Sequence, residues 1–140
     1  MNDAGPVTGI LLTHGSMAEG LLDAVRRIAA PDPGALLALS NEGCSPETLV
    51  RRLDEAAGTG AAIIFTDLQA GSCALAARMT CGSPGRRGVI SGVNLPMLLD
   101  FVFHRELELE ELIPRLVERG RAAVQGIPPV SYRVDHPVSG

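Results

Sequence analysis

Four stretches of this chain are continuously apolar over a few residues and stop at a polar turn, and segments with helical periodicity lie between them. Val7-Thr8-Gly9-Ile10-Leu11-Leu12 reads as a buried strand that ends in Thr13-His14-Gly15-Ser16. Ser16 with Glu19 three positions on has the pattern of a capping box, predicting a helix through about Ala29 with Leu21, Leu22, Val25 and Ile28 on its inner face. Pro31-Asp32-Pro33-Gly34 is a turn, and Ala35-Leu36-Leu37-Ala38-Leu39 is a second buried strand. Ser45-Pro46-Glu47 combines an N-cap, a proline at the first helical position and an acid in the first turn. The helix it opens turns Leu49, Val50 and Leu53 inward and ends near Gly58.

A third strand, Ala61 to Thr66, runs into Asp67. A helix is expected from Ser72, carrying Ala76, Ala77 and Met79, until Gly82-Ser83-Pro84-Gly85 stops it. Val89-Ile90 form a short fourth strand, after which Asn94 caps a helix containing Leu95, Pro96, Met97, Leu98, Leu99 and Phe103. Leu109, Leu112, Ile113, Leu116, Val117 and Val124 recur at helical spacing, with Pro114 and Gly120 expected to weaken or bend the last helix. The alternation predicts a single α/β domain over 1–140: a doubly wound, mostly parallel open sheet of four parallel strands with the first strand central and helices on both faces. Its core spans 7–127, and the alternating tail Pro129 to Val134 is a candidate antiparallel edge strand.

Composition narrows the chemistry. The 140 residues suffice to bury roughly two thirds of the unfolded surface. With one Tyr, three Phe and no Trp, the core must be aliphatic. All twelve basic residues are Arg, dispersed along the chain with pairs such as Arg26-Arg27, Arg51-Arg52 and Arg86-Arg87, and the net charge is −4, so the concentrated basic face of a nucleic-acid binder is missing. Without Lys there is neither Schiff-base chemistry nor a P-loop lysine. Cys44, Cys73 and Cys81 lack the spacing of a zinc site or redox pair and read as reduced, mostly buried thiols. The N-terminus has no basic region leading into a long apolar one, and no apolar run approaches the ~18 residues of a span, so a cytoplasmic protein is expected.

The chemistry concentrates at the strand ends. In an open parallel sheet ligands bind beyond the carboxyl ends of the strands, where helix N-termini favour anions. There the chain offers His14, Asp67 and the turn Gly71-Ser72. Imidazole is a nucleophile near neutrality, and a carboxylate on one ring nitrogen fixes its tautomer. Plainer roles exist for each residue: a structural histidine, Asp67 capping its own loop, Ser72 acting only as an N-cap, and Asn94 as a structural cap. His104 and His136 read as surface residues, Cys73 as a buried thiol beside the site, and Glu108 to Glu111 as a solvated helix start.

Three segments, Thr13-His14-Gly15, Thr66-Asp67 followed by Gly71-Ser72, and Ser91-Gly92-Val93-Asn94-Leu95-Pro96-Met97-Leu98, together resemble the mannose-type enzyme IIA component of the bacterial phosphoenolpyruvate-dependent sugar phosphotransferase system, over residues 7 to 127. The resemblance implies that His14 takes a phosphoryl group from phospho-HPr and passes it to a histidine of enzyme IIB. It also implies that Asp67 holds one ring nitrogen of His14, and that Gly71 and Ser72, with Thr13, bind the phosphoryl oxygens. It further implies a homodimer in which the last strand is exchanged between protomers, no nucleic-acid partner, and contact with the membrane only indirectly through the IIC and IID subunits. No metal or other cofactor is needed when donor and acceptor are both histidines. Two proteins must use the site in turn, so a shallow, apolar-rimmed surface is expected. Met17, Asn94 and Met97 are candidate partner contacts; Leu98 is a further rim candidate, with a core position open for it and Met97. The chain departs from the family's usual Gly-Gly-Ser-Pro and following Asn at Ala70, Cys73 and Leu75. The competing functions are the phosphotransfer subunit of a phosphoenolpyruvate-dependent dihydroxyacetone kinase and a phosphorylation-dependent regulatory module uncoupled from transport. A serine hydrolase is disfavoured by the absence of a Gly-x-Ser-x-Gly elbow.

Overall fold

A computed structural model describes residues 5–82 and 86–129. Four strands alternate with five helices: β1 (Thr8–Thr13), α1 (Met17–Ala29), β2 (Leu36–Ser40), α2 (Pro46–Ala57), β3 (Ala62–Thr66), α3 (Ser72–Thr80), β4 (Arg87–Ser91), α4 (Leu95–Val102) and α5 (Leu109–Ala122). All pairings are parallel, in the order β2-β1-β3-β4, so the first strand is interior as its apolar run predicts. The expected tail strand falls from Val130 onward outside the described residues.

Strand alternation divides the interior into two layers. Ile10 and Leu12 of β1 and Ala62 and Ile64 of β3 face α2 and α3, meeting Leu49, Leu53, Ala76 and Ala77. Leu11, Ile63 and Phe65 face the opposite layer, where α1, α4 and α5 supply Val25, Leu98, Phe101, Leu112 and Leu116. Phe101 stacks edge-on against Phe65 with centroids 5.3 Å apart. It lies so close to β1 that a Cβ on Gly9 would stand 2.6 Å from its ring. Few aromatics therefore suffice, because one pair is wedged against a strand that leaves room for it.

Several local expectations are corrected by packing. Ser16 precedes α1 with φ −96° and ψ 12° and makes no capping bond from its side chain, so the capping box with Glu19 does not form. A capping serine needs extended backbone, whereas here the chain swings from β1 into α1 through a turn in which the Met17 N–H donates to the His14 carbonyl (3.4 Å). Ser45 does cap α2, accepting from the Thr48 N–H at 3.2 Å. Ile28 is exposed rather than inward, and Met79 on α3 is exposed as well. Phe103 and Val124 lie just beyond the ends of their helices and are also exposed. Of the three thiols only Cys73 is buried.

Neither Pro114 nor Gly120 breaks α5. Pro114 lies on the exposed face, and Leu112 and Leu116 anchor the helix on the other side. Gly120 is buried where α5 meets α4: a Cβ there would come within 2.6 Å of Met97 Cε, and the Gly120 carbonyl accepts from Asn94 Nδ2 at 2.9 Å. The residue that reads as a weak point in the helix is thus what permits the close helix contact.

The two helices are also joined by Asp100, only 8% of whose side chain is exposed, which receives Arg115 Nε at 2.8 Å and Arg115 Nη2 at 3.1 Å. The Arg115 hydrogen bond is the main cause that holds the Asp100 carboxyl below its ordinary value, against the opposing effect of burial. A depressed carboxyl pKa contributes stability above the unfolded value, about 3.9, and loses it as the pH falls through the folded one. Asp100→Asn should therefore cost about 1 kcal/mol at neutral pH, the arginine being partly solvated. Thermal melts across pH should show the gap from the parent narrowing below about pH 4; a gap independent of pH would remove the ion pair as its cause.

Candidate functional site

The register of the sheet brings the chemistry together. Leu12 pairs with Thr66 across β1 and β3, and Thr13 with Ser40 across β1 and β2, so His14, Asp67 and Asn41 leave adjacent strands at the same edge. The Asp67 carboxylate is bound by backbone first: Oδ2 accepts the His14 N–H at 3.0 Å and Oδ1 accepts the Leu68 N–H at 3.0 Å. Oδ2 also lies 2.9 Å from His14 Nδ1. Burial pushes the Asp67 carboxyl up, but the hydrogen bonds from the His14 backbone and ring outweigh it and leave it below its ordinary value. An ionised carboxylate can only accept, so the proton of a neutral His14 ring belongs on Nδ1 and the lone pair on Nε2.

The Nε2 edge faces Gly71. A Cβ at Gly71 would stand 3.9 Å from both Nε2 and Cε1, and the residue has φ +96°, a conformation costly for any other residue type. Gly71 immediately precedes α3, whose first-turn N–H groups have no partner within the helix. Backbone donors and the positive end of a helix dipole are therefore set beside the nucleophilic nitrogen. Ser72 opens α3, and its Oγ accepts from Asn41 Nδ2 at 3.3 Å. Asn41 is missing from the sequence-based site because it follows an ordinary polar strand end, and only the β1–β2 register reveals its neighbours.

The loop carrying Asp67 is braced from β4. The Thr66 hydroxyl donates to the Leu68 carbonyl (3.0 Å) and lies 3.0 Å from Ser91 Oγ. The Thr66 carbonyl accepts the N–H groups of Gly92 (2.9 Å) and Val93 (3.1 Å). Asn94 caps α4 by accepting from the Met97 N–H at 3.1 Å, while its amide reaches Gly120. The Ser91-to-Asn94 segment thus supports the Asp67 strand end and joins α4 to α5.

Not every candidate residue reaches this surface. Thr13 is fully buried and its hydroxyl has no hydrogen-bond partner among the described residues, so it is not presented to a bound group. Met97 is 3% exposed and Leu98 fully buried; both belong to the core under α4 rather than to a rim. The exposed apolar residues near these strand ends in sequence are Met17 at the start of α1 (42% exposed), Leu68 on the loop after β3 (57%) and Leu75 one turn into α3 (47%). His14 itself has 45% of its side chain exposed. Cys73, behind Ser72, is buried, and the sulfur, a His14 ring nitrogen and an Asp67 oxygen lie within 4.8 Å of one another. Among the described residues no helix is long and apolar enough to cross a membrane.

Comparison with known proteins places this geometry. A search of curated proteins found no match. Among solved structures, a phosphotransferase system component EIIA from Streptococcus agalactiae superposes with a TM-score of 0.80 at 19% identity, covering 87% of this chain and 98% of the other. The mannose/sorbose-specific IIA subunit of the phosphotransferase system from Enterococcus faecalis gives 0.76 at 25% identity, covering 92% and 100%. The phosphotransferase IIA protein associated with the fucose utilization operon of Streptococcus pneumoniae gives 0.73 at 16% identity, covering 88% and 94%. The family model described as the fructose IIA component of the phosphotransferase system, EIIA-man, matches residues 9–117, which takes in every element from β1 to α5 that builds the His14 edge, and on that match the chain belongs to the mannose/fructose-type IIA family of the sugar phosphotransferase system.

Proposed function

We propose that this chain is a cytoplasmic histidine phosphocarrier that takes a phosphoryl group from phospho-HPr on His14 and delivers it to a histidine of enzyme IIB, through which alone it serves the membrane subunits. The observation that carries the reading is the 2.9 Å contact of His14 Nδ1 with an Asp67 carboxylate already held by two backbone N–H groups. It leaves Nε2 as the nucleophile. Attack forms the Nε2–phosphorus bond while the bond to the donor histidine breaks, and the departing lone pair stays on the donor ring. The positive charge that develops on His14 is stabilised by Asp67. Return of negative charge to the phosphoryl oxygens is met by the α3 N-terminus and the Ser72 hydroxyl.

Asn41 gives Ser72 its direction. A hydroxyl that accepts from an amide N–H keeps its own proton free to donate elsewhere, so the Asn41 amide aims the Ser72 O–H at an incoming acceptor. The exposed Met17, Leu68 and Leu75 suit transient docking, where apolar contact without deep enclosure lets one partner leave before the next arrives.

Incubation with phosphoenolpyruvate, enzyme I and HPr should add one acid-labile phosphate, mapped by mass spectrometry to His14. His14→Ala should accept none while keeping its circular dichroism; a phosphate elsewhere on the parent would refute the assignment. Asp67→Ala should slow acceptance by roughly 10²- to 10⁴-fold in quenched-flow measurements, since tautomer and charge stabilisation are both lost. An unchanged rate would remove Asp67 from the mechanism. Asn41→Ala should slow it only about fivefold, the equivalent of an indirect hydrogen bond of about 1 kcal/mol. In a Ser72→Ala background the same change should have no further effect, and additive losses would show that Asn41 does not act through Ser72.

A further inference from the structure

One group at the site has no part in phosphoryl transfer. The Cys73 sulfur lies with a His14 ring nitrogen and an Asp67 oxygen in a triangle whose every side is within 4.8 Å. We propose that His14, Asp67 and Cys73 form a binding site for a thiophilic divalent cation of the zinc type, and that metal and phosphoryl group exclude one another on His14. The binding is independent of the phosphocarrier reading, while the exclusion rests on it.

The donor set is that of a zinc site with one open position: a thiolate, an imidazole and a carboxylate, leaving a fourth place for water. Modest closure of the triangle brings the donors to bonding distance, zinc–sulfur being about 2.3 Å and zinc–nitrogen about 2.0–2.1 Å. The side chains come from different elements, His14 after β1, Asp67 after β3 and Cys73 from the first turn of α3, so the backbone holds them together before any ion arrives. Asp67 is already oriented by the backbone N–H groups of His14 and Leu68, the outer-shell support that fixes a ligating carboxylate. Cys73 is buried, and its sulfur shares the triangle with the Asp67 carboxylate, whose negative charge disfavours a neighbouring thiolate. A dication between the two groups reverses that interaction, releasing the thiol proton as the metal–sulfur bond forms. Thiolate and imidazole together select zinc over magnesium or calcium.

Mutual exclusion follows from the lone-pair inventory of imidazole. A neutral ring has a single in-plane lone pair to give. A metal on Nδ1 drives the ring proton to Nε2 and abolishes the nucleophile; a metal on Nε2 occupies the attacking atom itself. Conversely, a phosphoryl group on Nε2 takes up that nitrogen, so a metal could reach the ring only at Nδ1 and only by displacing the proton held there by Asp67.

The test is equilibrium dialysis of the full chain against ZnCl2 with a non-thiol reductant, in the parent and in a Cys44→Ser/Cys81→Ser variant that removes the other two thiols. Each should bind one zinc. Cys73→Ala should bind roughly tenfold more weakly or worse, since losing a direct ligand costs at least as much as losing its outer-shell support, and His14→Ala should be similarly impaired. With Co2+ as the probe, a thiolate-to-cobalt charge-transfer band should appear and vanish in Cys73→Ala. Cys73→Ala should still accept phosphate on His14, showing that it is folded, and zinc should block acceptance in the parent but not in that variant at the same concentration. Parent-like zinc binding by Cys73→Ala, or no zinc bound by the parent, would overturn the site. Zinc held by the parent without loss of acceptance would overturn the exclusion. Failure of the zinc-free parent to accept phosphate would instead count against the phosphocarrier reading and leave the dialysis result standing.

Discussion

The parallel pairing of β1 with β3 is the constraint on which the rest of the site depends. Leu12 opposite Thr66 fixes the offset of the two strand ends, and just beyond them, two residues after Leu12 and one after Thr66, the His14 N–H and the Asp67 carboxylate meet at 3.0 Å. A shift of this register by one residue would separate the pair and turn the apolar side chains of an interior strand toward the wrong layer. The core therefore enforces the site: Leu11 and Ile63 on one face, Leu12 and Ile64 on the other, hold the register through their burial. The electrostatic consequence is local. A carboxylate fixed by backbone donors cannot relax away when the ring beside it changes charge, so its stabilising effect is available without reorganisation.

The sequence displays the strand ends more clearly than it displays their neighbours. Short apolar runs bounded by turn residues mark β1 to β4, and His14, Asp67 and Gly71 stand out as polar or flexible residues just beyond such runs. Proline in the first turn and a capping Ser45 or Asn94 place two helix starts correctly because these signals are local. The same local reasoning fails at Ser16, where the tight exit from β1 denies the serine its extended backbone. It fails again at Gly120, whose meaning lies in the approach of Met97 from another helix, and at Asn41, which acquires a role only when β2 is laid beside β1. Met97 follows the same rule: its place in a segment beside the site suggests a rim, while the helical face it occupies is the one turned into the core.

The departures at Ala70, Cys73 and Leu75 fall into distinct physical classes. Gly71, the position that needs positive φ against the histidine ring, is kept, and Ala70 occupies the position before it. Leu75 is nearly half exposed and adds apolar surface one turn into α3. Cys73 is different because its side chain is turned inward: it exchanges the pyrrolidine ring common in the family for a thiol packed under the reactive pair. In the proposed roles, a substitution on the outer face of α3 bears on docking, whereas one on the inner face bears on what His14 and Asp67 hold.

A nucleophile open to solvent and a nucleophile open to metal are two sides of one design constraint. In the proposed phosphocarrier role His14 has to be exposed, since enclosure deep enough to exclude small cations would also exclude the histidine ring of a partner; 45% of its side chain is open. Protection has to come from chemistry instead of from a lid, and Asp67 supplies part of it by keeping Nδ1 protonated, which leaves a single lone pair on Nε2. With proline at position 73 that lone pair and a carboxylate would be the only donors, a weak site for a divalent ion. A thiol there adds the strongest ligand of the three for a zinc-type cation, so the affinity of the proposed metal site turns on Cys73, a side chain that the proposed transfer does not use.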